Sequence, residues 1–224
     1  MKILALDTSG DACSVALYDA RNKKLLAEER VLIERGHAEI LFSQIACVTE
    51  QGDTSLKSID RFAVTIGPGT FTGVRIGLSA ARGFALAAQK PLIGLSSLEV
   101  VARGAEAPAS AIIVAAFDAR RGEIYVQAFQ GDATILEPMA ATPAEAASAI
   151  TEASSGGEVF IIGTGAEILR AALASKGARA EIAPGEALPR ADVLARLAAN
   201  RPAATEPVMP LYLRAPDAKL PTRS

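Results

Sequence analysis

The 224-residue chain has no tryptophan, a single histidine and only two cysteines. Cys13 and Cys47 have neither metal-ligand spacing nor the density of a disulfide scaffold, so we expect both to be reduced thiols. His37 has Leu41 one helical turn further on, which excludes a helix-borne pair of histidine ligands. No Gly-x-Ser-x-Gly elbow surrounds any serine. The sequence therefore predicts no catalytic residues and no metal ligands.

The chain also lacks an excess of either charge, because it has 23 Lys and Arg and 25 Asp and Glu, which give a formal net charge of -2. No segment concentrates basic residues, which argues against this chain gripping a nucleic-acid backbone by itself. The apolar run Ile3 to Leu6 meets Asp7 and is too short for a signal peptide or a membrane span. We therefore expect a cytoplasmic protein with no membrane association.

Strand and helix patterns alternate along the chain, which favours an α/β fold. Residues 3–19 read as a hairpin, in which a buried strand ends at Asp7, and residues 111–129 repeat that order around Asp118. A repeat at this spacing suits two related lobes. We place the first lobe at residues 1–97 and the second at 98–224, and we expect a loose tail over the last ten residues, Ala215 to Ser224.

A glycine-rich segment, residues 67–77, joins a predicted strand to a helix that ends near Ala88. Its spacing matches neither a P-loop nor a dinucleotide fingerprint. Gly67 and Gly69 fit a tight turn with positive φ, and Thr70 or Thr72 could cap the helix, although helix N-termini also attract anions. Gly77 and Gly83, inside the helix, require a compensating close approach of another helix, which could belong to this chain or to a partner.

Asp7 and Asp118 stand at corresponding ends of the two predicted hairpins. Paired carboxylates there could hold magnesium against nucleotide phosphates, or each could cap its own turn through backbone hydrogen bonds. Arg120 and Arg121 would crowd a γ-phosphate, which argues against ATP hydrolysis. If a nucleotide binds, the residues that we expect to face it are Asp7, Thr8, Ser9, Asp118 and Gly163.

Seven segments together resemble the TsaB family, also called YeaZ. They are Ile3–Ser9, Gly36–Glu39, Gly67–Gly77, Gly94–Leu98, Asp118–Tyr125, Gly163–Ala166 and Pro210–Arg214. They occur in order over nearly the whole chain, and Gly67–Gly77 is the most specific. The resemblance implies an actin/hexokinase/Hsp70-like (ASKHA) α/β fold of two lobes, each a mixed sheet flanked by helices.

The resemblance also implies a non-catalytic subunit that stabilises the larger paralogue TsaD and cooperates with the ATPase TsaE in tRNA threonylcarbamoyladenosine modification. ATP or ADP and magnesium would be used by the complex, with none bound tightly by this chain, and tRNA would be reached through the complex. A homodimer could form when the partner is absent. The alternatives are an ASKHA-type small-molecule kinase or ATPase, and a glycopeptidase. The implied partner interface lies on two helices, 37–48 and 72–88, and comprises His37, Leu41, Ile45, Val74, Gly77, Ala81 and Phe84.

Overall fold

The computed structural model describes residues 1–203 and 206–214. The loose tail predicted for residues 215–224 lies outside the described residues. Two five-stranded sheets form the framework, and both follow the same order. The strands of the first are β1 (Lys2–Gly10), β2 (Ala12–Asp19), β3 (Lys24–Leu32), β4 (Arg61–Thr65) and β5 (Leu92–Leu95). Those of the second are β6 (Ile112–Asp118), β7 (Ile124–Gln130), β8 (Ala133–Ala141), β9 (Val159–Ile162) and β10 (Glu181–Ile182).

The sheet orders β3-β2-β1-β4-β5 and β10-β9-β6-β7-β8 are equivalent, strand for strand. In each sheet the first three strands in sequence are antiparallel neighbours, and the central strand pairs in parallel with the strand on its other side. The duplication that the two sequence hairpins predicted is therefore confirmed as two mixed sheets. The ASKHA-type architecture agrees with this arrangement.

Helices cover both faces of each sheet. They are α1 (His37–Gln51), α2 (Phe71–Ala88), α3 (Ser97–Ala102), α4 (Pro143–Ser154), α5 (Ala166–Ser175) and α6 (Ala191–Ala199), with a short 3-10 turn at Leu56–Ser58. Strand residues alternate between the two faces of a sheet. Accordingly, Leu4 and Leu6 pack with α1 and α2, whereas Ile3 and Ala5 pack with α6. In the second sheet α4 and α5 cover one face and α3 packs on the other.

Helix α6 corrects the predicted lobe boundaries. Residues 98–224 were assigned to the second lobe, but α6 buries Val193, Leu194 and Ala198 against the first sheet. Two polar contacts hold it there, because Ser14 Oγ accepts a hydrogen bond from the Ala191 amide at 3.0 Å and the Arg61 guanidinium donates to the Ala198 carbonyl at 2.5 Å. Lobe one is therefore the first sheet with α1, α2 and α6, and lobe two is the second sheet with α3, α4 and α5.

Both cysteines are free, as the sequence predicted; Cys13 is buried in the core of lobe one and Cys47 is partly exposed. Burial raises the pKa of the Cys13 thiol to about 12, with a smaller contribution from the nearby Asp7. Within the described part of the chain, no helix is long and apolar enough to cross a membrane.

Candidate functional site

A cleft of about 410 Å³ opens between the lobes where the two hairpins face each other. Lobe one supplies the end of β1 and the loop before α2, and lobe two supplies the β6–β7 turn. Clefts of this size at domain junctions are usual places for small-molecule sites. The residues that line it are Ser9, Gly10, Asp11, Pro68, Gly69, Thr70, Phe117, Asp118, Ala119, Arg120, Tyr125, Thr164, Leu188 and Pro189.

Asp7 does not face this cleft, so that prediction is wrong. Strand β1 continues to Gly10 instead of turning at Thr8, and Asp7 pairs with Ser14 inside the β1–β2 ladder. Its side chain is fully buried. Desolvation raises the pKa of Asp7 above its usual value, only partly offset by hydrogen bonds to Oδ1 from the Thr65 hydroxyl and from the hydroxyl and amide of Ser9.

Thr8 and Ser9 are buried as well. The Thr8 hydroxyl donates to the Gly73 carbonyl at 2.7 Å, which ties β1 to the first turn of α2. Ser9 does line the cleft, but its hydroxyl donates to Asp7 and accepts from Ser97 Oγ at 3.0 Å. These small residues therefore close the junction between strand and helix, and neither hydroxyl is left free for a phosphate.

Asp118 lines the opposite wall and caps its own turn, one of the two roles that the sequence allowed. Its Oδ1 accepts from the Arg120 amide at 2.7 Å, and its own amide donates to Thr164 Oγ1 at 3.1 Å. Arg120 and Arg121 both have positive φ, at 63° and 56°, so the turn bends tightly. Arg120 is among the residues that line the cleft.

Gly163 is not among the residues that line the cleft, although it is partly exposed. It has a φ of 114°, and a Cβ there would collide with the Ala116 carbonyl of the neighbouring strand. Its role is close packing, and the next residue, Thr164, reaches the cleft instead. That Gly163 faces a nucleotide therefore stays a prediction.

The residues present do not fit a magnesium-nucleotide site held by two carboxylates. Asp7 is sealed in the sheet, and the Asp118 carboxylate lies 3.8 Å from the Arg120 guanidinium. A hard cation needs several oxygen ligands that converge on one point. Among the described residues, no group of three or more His, Cys, Asp and Glu side chains could hold a metal ion.

The glycines before and within α2 mainly allow α2 and the loop before it to pack closely against β1. Gly67 has a φ of 98°, as predicted, whereas Gly69 does not need positive φ. A Cβ on Gly69 or Gly73 would collide with the carbonyl of Ser9 or Thr8, respectively. Thr70, one of the two predicted caps, accepts from the Gly73 amide at 3.2 Å.

The close approach predicted at two glycines inside α2 is real at one and absent at the other. A Cβ on Gly77 would lie 2.6 Å from Thr8 Oγ1, so its neighbour is a strand of the same chain and not another helix. Gly83 has nothing within 4 Å of a built Cβ and faces outward. Only Gly83 therefore leaves room for a second helix.

Six of the seven predicted interface residues are buried within lobe one: His37, Leu41, Ile45, Val74, Gly77 and Ala81. Leu41 and Ala81 are 0% exposed in the core between the helices and the first sheet. His37 Nε2 lies 2.9 Å from the Gly10 carbonyl. Their place in the predicted interface is therefore wrong, because a partner cannot contact side chains that the lobe itself covers. Only Phe84 of this set remains partly exposed.

The surface that α1 and α2 actually present includes exposed apolar side chains on either side of Gly83. Phe42 is 56% exposed and packs against the Phe84 ring with centroids 6.1 Å apart, and Phe84 in turn stacks on the buried Phe62. On the other flank of α2, Leu86 is 82% exposed. Between the flanks lies the open surface at Gly83. We call Phe42, Gly83, Phe84 and Leu86 the α1–α2 face.

Sequence reasoning missed Phe42 and Leu86 because the apolar residues of both helices are not confined to one stripe. When a helix is apolar over much of its circumference, periodicity does not say which side meets the sheet. Phe42 and Leu86 lie outside the helical spacing of the buried apolar positions. That spacing was the available sequence signal that these two side chains are exposed.

Comparison with known proteins identifies the family. A sequence profile described as "TsaD: tRNA N6-adenosine threonylcarbamoyltransferase" matches residues 31–221. A protein named "tRNA threonylcarbamoyladenosine biosynthesis protein TsaB" from Escherichia coli is 41% identical over 133 residues, which are 59% of this chain and 56% of that protein. The Haemophilus influenzae protein of the same name is 39% identical over 56% of this chain and 52% of its own length. The chain thus matches about half the length of these two relatives.

Solved structures extend the likeness over the whole fold. A crystal structure of an uncharacterized protein with similarity to peptidase YEAZ, from Pseudomonas aeruginosa, has a TM-score of 0.76 and 29% identity, and the match covers 95% of this chain and 99% of that one. A ROK hexokinase from Thermus thermophilus has a TM-score of 0.50 at 14% identity, covering 89% of this chain and 98% of its own. The second likeness concerns the fold alone, and it agrees with the ASKHA arrangement.

Proposed function

The chain belongs to the TsaB/YeaZ branch of the tRNA N6-adenosine threonylcarbamoyltransferase family, and we propose that it acts as a non-catalytic subunit in threonylcarbamoyladenosine modification of tRNA. In this proposal it binds and stabilises a TsaD-type paralogue and cooperates with a TsaE-type ATPase in the cytoplasm. The family match carries the proposal. The tRNA is reached through the complex, which suits a chain with a net charge of -2 and no basic segment.

The α1–α2 face supports a docking role. Exposed apolar patches mark protein interaction sites, and Phe42 and Leu86 are among the most exposed large apolar residues described. Between them Gly83 offers no side chain, so a partner helix can approach the α2 backbone closely. We therefore propose this face, rather than the buried residues predicted from sequence, as the paralogue-binding surface. In the absence of the paralogue the same face would allow a homodimer.

The chemistry of the cleft supports a subunit that leaves catalysis to its partner. The only histidine in the sequence lies buried against the Gly10 carbonyl. Asp7, which a nucleotide-hydrolysing site would use, has its pKa raised by burial and is hydrogen-bonded within the sheet. We propose that ATP or ADP and magnesium are used by the complex and that this chain holds none of them tightly. An ASKHA-type kinase or ATPase, the alternative, would need the carboxylate pair that this cleft lacks.

Co-purification with a TsaD-type paralogue tests the docking surface. Leu86→Glu places a charge on one flank of the proposed interface without touching the core, and we expect loss of the complex with the monomer still folded. Ile168→Glu is the matched control, because Ile168 is also exposed, at 40%, but lies on α5 in lobe two. Undiminished co-purification of Leu86→Glu would remove this face from the proposal.

A further inference from the structure

The segment formed by residues 206–214, which we call the strap, follows α6 and runs back along lobe one. The Leu211 amide donates to the Ile66 carbonyl at 2.8 Å, and a Cβ on Gly67 would lie 3.1 Å from the Leu211 carbonyl oxygen. Val208 occupies the space that a side chain at position 94 would fill. The strap is therefore fixed to the end of β4, directly before the Pro68–Thr70 loop that forms one wall of the cleft.

The end of the strap crosses to lobe two. The Arg214 guanidinium forms an ion pair with Glu123, in the β6–β7 turn, and approaches the Arg120 carbonyl at 3.5 Å. Its Cζ also lies 6.0 Å from the centre of the Tyr125 ring. Arg120 and Tyr125 both line the cleft, so Arg214 contacts the wall that lobe two supplies, opposite the Pro68–Thr70 loop.

We propose that the strap is an interlobe latch that sets the width of the cleft. Within residues 1–203 the covalent chain passes between the lobes twice, between β5 and α3 and between β10 and α6. The strap adds a non-covalent tie between the two walls. Its Arg214 and Glu123 side chains are 24% and 37% exposed, so water and salt can compete for them and the tie is reversible.

The strap is also tethered to the flank of α2. Arg75 Nε donates to the Tyr212 hydroxyl at 2.9 Å, and the guanidinium lies 3.6 Å from the centre of the Phe71 ring, which stacks on Tyr212 at 5.8 Å. About two helical turns further on, Arg82 contacts the Val208 carbonyl and Met209 Sδ. Anything that displaces Tyr212 from α2 therefore pulls on the segment that carries Arg214. The latch thus couples the α2 flank to the cleft.

Interlobe distance measurements on the full chain test the latch. Spin labels at Lys57→Cys in lobe one and Glu152→Cys in lobe two, in a Cys47→Ser background, report the separation by pulsed electron resonance. We expect a longer, broader distance distribution for Arg214→Met and Glu123→Gln, and also for Arg75→Met if the α2 tether is coupled to the latch. Arg170→Met is the control, because it removes an exposed ion pair that lies within lobe two. In that pair the Arg170 guanidinium is 2.7 Å from the Glu167 carboxylate.

Amide exchange supplies a second readout that does not depend on labels. The Ala119 and Glu123 amides close the β6–β7 turn through the Glu123 and Arg120 carbonyls. Loss of one partly exposed ion pair should speed their exchange about fivefold in Glu123→Gln, which keeps the side-chain shape. Unchanged distances and exchange in both Arg214→Met and Glu123→Gln would overturn the latch. An unchanged Arg75→Met, with the other two widened, would overturn the coupling to α2.

Discussion

The Thr65 hydroxyl donates a hydrogen bond to the carboxyl group of Asp7, across the parallel pair of strands β4 and β1. Both side chains are buried, at 1% and 0% exposure. The other oxygen of Asp7, Oδ2, has no hydrogen-bond partner among the residues that the structure describes. A carboxyl group in this setting works as a buried polar link between two strands and is not available to a ligand in the cleft.

Asp7→Asn should change the pH dependence of stability. Burial raises the pKa of Asp7 above its usual value of 3.8, so the folded state binds the proton more tightly than the unfolded state does. The free energy of unfolding of the wild type, relative to Asp7→Asn, should therefore fall as pH rises from about 4 through the folded-state pKa. Each tenfold difference in proton affinity corresponds to about 1.4 kcal/mol. Urea unfolding at a series of pH values measures this difference. A relative stability that rises with pH would contradict the account, because it would mean a stabilised carboxylate.

Two glycines of α2 should respond in opposite ways to alanine. Gly73→Ala forces a Cβ against the Thr8 carbonyl and should destabilise the protein by about 3 kcal/mol or more, since the backbone of β1 must shift. Gly83→Ala meets open space and should stabilise the isolated chain by up to about 1 kcal/mol, the usual helix preference. Thermal and urea unfolding of the two variants measure both changes. Equal effects would contradict the assigned faces of the helix.

Leucine-to-glutamate changes distinguish the buried and exposed sides of the two helices. Leu41→Glu puts an unpaired charge into the core, and we expect it to unfold lobe one, because burying a charge without a partner costs several kcal/mol. Leu86→Glu should melt within a few degrees of the wild type. Thermal melting followed by circular dichroism compares the two variants with the wild type. A well-folded Leu41→Glu variant would mean that the helix is rotated from the orientation described.

Thr142→Ala should weaken lobe two. Thr142 and Glu145 form a complete capping box at the start of α4, in which the Glu145 amide donates to Thr142 Oγ1 and Glu145 accepts from the Thr142 amide at 2.9 Å. Removing an N-cap side chain costs about 1 kcal/mol. Thr151→Ala, within the same helix, is the control, since its hydroxyl only bonds the Ala147 carbonyl one turn back. A loss no larger than in the control would argue against the cap.

The sequence predicted the duplicated hairpins, the helix after Gly67–Gly73 and the alternation of strands and helices, because local periodicity and turn residues determine these. Position relative to the cleft was harder to predict. Asp7 followed by Thr8 and Ser9 suggests a turn, yet β1 continues, since small residues let α2 pack directly on it. Residue type alone does not distinguish a strand end from a strand interior.

The return of α6 and the strap to lobe one was missed for a different reason. An amphipathic pattern predicts that α6 is covered on one side, but it does not say which sheet covers it. The strap forms neither a helix nor a strand, and its order comes from contacts distant in sequence, such as that between Leu211 and Ile66. Such contacts depend on the assembled tertiary structure.

Reconstituted transfer tests the central claim most directly. Threonylcarbamoyladenosine would be measured in tRNA incubated with ATP, a source of the threonylcarbamoyl group, a TsaD-type paralogue and its ATPase, with this chain present or omitted. The account predicts that modification depends on this chain, while the chain alone hydrolyses no ATP. Full modification without it, or ATP turnover by the chain alone, would contradict a supporting role.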